Sequence, residues 1–123
     1  MSQWTHLAGI IRVDNVRFWL DPAHTSERAA GEIFRTLMAR IPVGSNGTQT
    51  SVQCHPTADD RVVAIIEADL EDTGSKEDVQ AITEWFKDRL RKLRDRGYAI
   101  RQAVLEIEVE DQGYYIVRAG EDT

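Results

Sequence analysis

Twice along this chain an alternating apolar pattern gives way to a helical one and then returns, and that double switch restricts the fold more than any other feature. Leu7 to Val13 alternates, with Leu7, Gly9, Ile11 and Val13 on one side and His6, Ala8, Ile10 and Arg12 on the other. The pattern is that of a strand with one face more apolar. "NVRFWLDPAH" reads as a loop closed by Asp21-Pro22. Thr25 or Ser26 then caps a helix in which Ala30, Ile33, Phe34, Leu37 and Ile41 recur at helical spacing. Pro42 stops it, because the residue before a proline disfavours helical geometry. "IPVGSNGTQTS" leads into a β-prone stretch, Thr48 to His55, and "HPTADD" turns the chain.

The second pass repeats the first. Val62 to Leu70 is rich in Val and Ile and reads as a strand. Ser75 opens a helix with a reciprocal cap at Asp78, and Val79, Ile82, Phe86, Leu90 and Leu93 form its buried stripe. Gly97 is placed to end it. Ala99 to Glu110 reads as a long strand with Ala103, Leu105, Ile107 and Val109 inward, and "EDQG" turns into a short edge strand, Tyr114 to Arg118. Residues 4–56 and 62–110 are thus one strand-helix-strand unit used twice. Two split βαβ units predict a single α+β domain over 1–123, ferredoxin-like βαββαβ with an added C-terminal strand. Both helices are expected on one face of a mostly antiparallel sheet.

The 123 residues suffice for one core, and 41% hydrophobic with 29% charged residues excludes a disordered chain. A net charge of -6 argues against a nucleic-acid backbone as partner. The lone Cys54 has no internal disulfide partner, which suits a reducing compartment. "MSQWTHLAGIIRVD" lacks a signal-peptide pattern, and no segment approaches the roughly 20 apolar residues of a membrane span. A cytoplasmic location is expected, and the sequon at Asn46 carries no glycan there.

Covering one sheet face with helices leaves the other open. Alternation assigns His6 and Arg12, then Gln49, Ser51, Gln53 and His55, to that face. Glu67, Asp69, Glu106 and Glu108 join them, and Ile10, Val63, Ile65 and Val104 share it. So mixed a face suits either solvent or association between copies, and a dimer or higher homo-oligomer is expected.

Gly44, Ser45, Asn46, Gly47 and Thr48 could cradle an anion in backbone amides, or simply turn the chain from helix to strand. The loop follows a helix rather than preceding one and has no lysine of a phosphate loop, which favours the turn. Cys54 and His55 point to opposite faces as strand neighbours, so they cannot form a nucleophile–base pair. His6, His24 and His55 with Glu67 and Asp69 lack metal-site spacing; solvated histidines are the plain reading, with no metal and no cofactor expected. The alternating carboxylates read as a wet face, and "DRLRKLRDR" as the solvated side of its helix. Phe18 and Trp19 are most simply tucked under the domain; if exposed, Trp19 offers a stacking surface beside Arg17.

"WTH" with "IIRVD", then "IPVGSNGT", "EWF" and "IRQAVLEIEVE", together resemble small uncharacterised proteins of tailed bacteriophages. That group pairs a Trp-Thr-His strand with a Gly-Ser-x-Gly loop, a Trp-Phe helix and an Ile-Arg-Gln-Ala strand. The relatives often carry Glu in place of Asn46, and Gly-Asp-Leu near Ala68-Asp69-Leu70. The resemblance implies a counter-defence factor that inhibits a host protein or sequesters a nucleotide messenger in an oligomeric pocket. It directs attention to Trp4, His6, Arg12, the Gly44–Thr48 loop and Arg101.

The leading expectation is therefore a non-enzymatic binding protein for an anionic small molecule or a host protein. Gly44, Ser45, Asn46, Gly47, Thr48, Arg12, Arg101, His6 and Trp19 are its candidate ligand-binding residues. One alternative is a small hydrolase or isomerase pairing His6 or His55 with Glu67 or Asp69 on the open face. Another is a structural or assembly factor.

Overall fold

The structure is a computed structural model that describes residues 3–43 and 49–120. Its elements are β1 (Trp4–Asp14), α1 (Arg17–Leu20), α2 (Ser26–Leu37), β2 (Gln49–Ala58), β3 (Arg61–Glu71), α3 (Lys76–Asp95), β4 (Ala99–Val109) and β5 (Gly113–Gly120). The strands form one sheet in the order β2-β3-β1-β4-β5, antiparallel at every junction. The chain is thus α+β, a five-stranded antiparallel sheet with three helices, consistent with a ferredoxin-like plan.

Register follows from the alternation. Leu7, Gly9, Ile11 and Val13 of β1 are buried while His6, Ala8, Ile10 and Arg12 point the other way. A slip of one residue would exchange the two sets, so the hydrophobic pattern fixes which face of β1 is buried against the helices. Ile66 and Leu70 of β3 and Leu105 and Ile107 of β4 complete the sheet's share of the core. Helix α2 packs on β2 and β3, α3 packs on β4, and the two helices touch each other. Both therefore lie on the buried face and leave the other face open.

The caps are as the sequence suggests. Thr25 accepts from the Arg28 backbone N–H at the start of α2, and Ser75 and Asp78 form a reciprocal capping box on α3. Gly97, at φ 93, takes the left-handed conformation that lets the chain leave α3. Ile33 and Leu37 of α2 and Ile82, Phe86, Leu90 and Leu93 of α3 are fully buried, each side chain contributing about 1.5–3 kcal/mol of transfer free energy.

Four details depart from expectation. "RFWL" is a one-turn helix rather than a loop. Helix α2 ends at Leu37, ahead of Pro42, and Ile41 is buried from outside it. Strand β2 continues through Pro56 to Ala58, with a shift of register at the proline. An edge strand tolerates a residue that cannot donate, so the turn shrinks to Asp59-Asp60. Finally, Trp85 is buried beside the expected stripe on α3, one residue before Phe86. No helix among the described residues is long and apolar enough to cross a membrane.

Candidate active site on the open sheet face

At one end of the open face, His6 faces Asp69 across β3 and Glu108 across β4. Its Nδ1 lies 2.5 Å from Asp69 Oδ1, and its Nε2 lies 3.3 Å from Glu110 Oε2. Glu110 is itself positioned: its other carboxylate oxygen accepts from the Trp4 backbone N–H at 3.3 Å, and its own N–H donates to the Trp4 carbonyl at 3.0 Å. The imidazole is held between two carboxylates by three different strand ends. The Asp69 hydrogen bond, reinforced by Glu110, raises the His6 pKa above its ordinary 6.5.

That arrangement is an acid–base device in outline. With Nδ1–H given to Asp69, the ring is fixed in one orientation and tautomer, and Nε2 is the atom left to exchange a proton. The closer contact belongs to the orienting carboxylate, and the longer one to the group that an incoming molecule would displace. Beside the pair lies a shallow depression of about 380 Å³ whose lining includes Ala8, Ser51, Glu67 and Asp69. A second, of about 320 Å³, lies over Ile10, Ile65, Val104, Glu67 and Glu106. Both are within the size range of small-molecule sites. Glu67, Asp69, Glu106 and Glu108 make this end of the sheet negative, which favours a cation.

The other candidates lie elsewhere. Arg12 and Arg101 meet with Arg61 around a depression of about 200 Å³ at the opposite end of β1. From His6 to Arg12 the strand rises about 20 Å, so the two cannot share one small ligand within a single copy. Arg12 donates to the Gln102 side-chain carbonyl at 3.1 Å, and Arg101 grips Asp14 through Nε and Nη2 at 3.2 and 2.9 Å. Trp19 is 68% exposed rather than tucked away, its indole N–H donating to Asp60 at 3.2 Å. Gly44, Ser45, Asn46, Gly47 and Thr48 lie outside the described residues.

The three histidines are not three solvated rings. His24 is buried against the Tyr98 hydroxyl at 2.8 Å. His55 is exposed and meets Gln53 at 3.3 Å. Of the three, His6 has a carboxylate on each nitrogen. Among the described residues, no group of His, Cys, Asp and Glu could hold a metal ion. Cys54 is half-buried on the core side, and burial pushes its thiol up to about 11. Sequence reasoning placed His6 and Asp69 on one face. It read Glu110 as one of the carboxylates of a wet face and not as a partner of His6; Glu110 follows the last residue of β4 and reaches His6 only because β1 and β4 end together.

No family model matches the chain, and no curated protein matches it. Among solved structures it is similar to a chain described as a phage SAM lyase in complex with S-methyl-5′-thioadenosine. The two share 18% identity over 93% of this chain and 90% of that one, with a TM-score of 0.35. The expectation of a non-enzymatic binding protein does not stand. The ground for setting enzymes aside was the want of an acid–base pair, and His6 with Asp69 at 2.5 Å removes it.

Proposed function

We propose that the chain is a small enzyme that transfers a proton to or from a cationic small molecule on the open sheet face. His6 is the general acid–base, Asp69 fixes its orientation, and Glu110 holds Nε2 until substrate arrives. The observation that carries this reading is the unequal pair of contacts on one imidazole, 2.5 Å to Asp69 and 3.3 Å to Glu110.

The chemistry follows from the electrostatics. Two neighbouring carboxylates favour the imidazolium and raise the His6 pKa, and in that form Nε2 can donate to a leaving group. Once neutral, the same nitrogen accepts a proton, and the Asp69 contact stabilises the charge that returns. Glu67, Glu106 and Glu108 attract a positive substrate to this end and set its positive centre near the ring. Hydrolysis, isomerisation and elimination all use such a proton shuttle.

The test offers purified protein a panel of small organic cations, starting with SAM, and follows each by liquid chromatography and mass spectrometry. Wild type is expected to consume at least one of them. His6→Asn is expected to lower that rate by about 10²–10⁴-fold, and Asp69→Asn by less, since it disturbs orientation and leaves the base in place. The reading fails if no cation is consumed, or if His6→Asn keeps the wild-type rate.

A further inference from the structure

Charge on the open face is sorted by position along the strands. Rows across the sheet follow from the pairing register. At one end stand Asp69, His6 and Glu108, and next to them Glu67, Ala8 and Glu106. Ile65, Ile10 and Val104 form the centre of the middle row, which continues to Gln53 on β2 and Arg118 on β5. Beyond it come Val63, Arg12 and Gln102, and last Arg61, Asp14 and the Arg101 that grips it. One end is acidic, the other basic, and an apolar bar separates them. Ile10 in that bar is 46% exposed, and Ile116 on β5, opposite Glu106, is 55% exposed.

We propose that a second copy of this chain covers the open face, related by a two-fold axis lying between the two sheets along the Ile65–Ile10–Val104 row. Such an axis sets each strand over its own counterpart and exchanges the two ends. The apolar centre of the row then packs on itself, and Arg118 at its β5 edge comes near the partner's Arg118. Arg12 falls over the partner's Ala8, between the partner's Glu67 and the partner's Glu106, and Arg61 faces the partner's Asp69. The match is reciprocal, as a two-fold interface requires.

Magnitudes agree with a specific dimer. Five strands at about 4.8 Å spacing, some 30 Å long, give roughly 600–700 Å² per face. That approaches the roughly 800 Å² per partner of a standard interface. Arg12 has a neutral partner, the Gln102 side chain, within its own copy, so two carboxylates opposite would supply what it lacks. The charges also reject the parallel alignment, which would set acid on acid.

This inference goes beyond the reading of His6 and does not depend on it. Where both hold, the partner's Arg12 takes up Glu67 and Glu106, and a substrate's positive centre is left to Glu108 beside His6.

Two charge-reversed variants test it. Arg12→Glu sets a new carboxylate against the partner's Glu67 and the partner's Glu106; Glu67→Lys/Glu106→Lys sets lysines against the partner's Arg12. All three positions are on the open face, and circular dichroism checks that each variant is folded. By analytical ultracentrifugation, wild type is expected to be a dimer that weakens as salt rises. Each variant alone is expected to dissociate with a dimer constant about a hundredfold weaker or more. An equal mixture of the two variants is expected to restore a dimer containing one of each, because every reversed charge then meets its opposite. A monomeric or trimeric wild type, a variant that stays dimeric, or a mixture that stays monomeric overturns the proposal. None of these readouts involves catalysis, so failure here leaves the His6 reading standing, and failure there leaves the dimer standing.

Discussion

Nε2 of His24 lies 2.8 Å from the hydroxyl of Tyr98, in a buried site that joins the loop before α2 to the start of β4. The phenol and the imidazole share one hydrogen bond. His24 also presents its backbone carbonyl to the Asn15 side-chain N–H at 2.9 Å, and the Arg17 guanidinium lies 5.6 Å from the Tyr98 ring centroid. Burial pushes the Tyr98 phenol up to about 12, so it stays protonated. The contact therefore anchors α1 and its exposed Trp19 to the second half of the chain.

Removing the hydroxyl takes this hydrogen-bond partner from a buried imidazole nitrogen. Tyr98→Phe is expected to cost about 1–3 kcal/mol of stability at neutral pH, read from urea denaturation. A loss within experimental error of zero would show that the contact does not matter.

The same histidine makes stability depend on acid. Burial, with Arg17 nearby, lowers the His24 pKa below 6.5, so the unfolded chain binds a proton more readily than the folded one. Stability from this group is complete above about pH 6.5 and is lost as the pH falls through the lowered folded value. His6 has the opposite sign: its folded pKa is raised, so its contribution is complete below 6.5 and fades as the pH rises through the folded value. Thermal melts are expected to show a steeper fall on the acid side in wild type than in His24→Gln. They are expected to show a gentler fall on the alkaline side in His6→Asn than in wild type.

Direct titration separates the two carboxylates on His6. By proton NMR, the His6 pKa is expected to fall toward 6.5 in Asp69→Asn and to fall less in Glu110→Gln, because the Asp69 hydrogen bond is the main cause of the rise. Equal shifts in the two variants would mean that Asp69 does not orient the ring, and the acid–base assignment would lose its anchor.

Much of this was legible in the sequence, for stated reasons. Alternation in β1, β3 and β4 and the stripes of α2 and α3 picked out most residues that face the core, Phe34 of the α2 stripe being 40% exposed instead, because one helical layer on one sheet face leaves few other choices. It also put His6 and Asp69 on the same face. It did not show that they are opposite one another, since register between β1 and β3 is a long-range fact that pairs residues 63 apart. Glu110 was invisible as a partner for the same reason, 104 residues from His6. Trp85 was missed because it adjoins Phe86 rather than standing three or four residues from it, although the buried arc of α3 is wide enough to take both. The sorting of charge along the open face needed the register too. Arg12 and Glu67 look like any exposed pair until Ala8 and Val63 show which rows they occupy.

Gly9 offers a test of how tightly β1 is held in the centre of the sheet. A Cβ at that position would lie 3.1 Å from Leu105 Cδ1 and 3.3 Å from the Val104 carbonyl oxygen. The leucine methyl can move, but the carbonyl belongs to the β4 backbone and cannot move without disturbing the ladder. Gly9→Ala is expected to destabilise by about 1–3 kcal/mol although alanine suits a strand no worse than glycine does. Gly31→Ala on α2 is the control: its Cβ would meet only Arg35 Nη1 at 3.7 Å, and alanine favours a helix, so this variant is expected to gain up to about 1 kcal/mol. Urea midpoints that move in these opposite directions would confirm that the centre of the sheet is filled by the side chains of β4; a neutral Gly9→Ala would mean that β1 and β4 can part without cost.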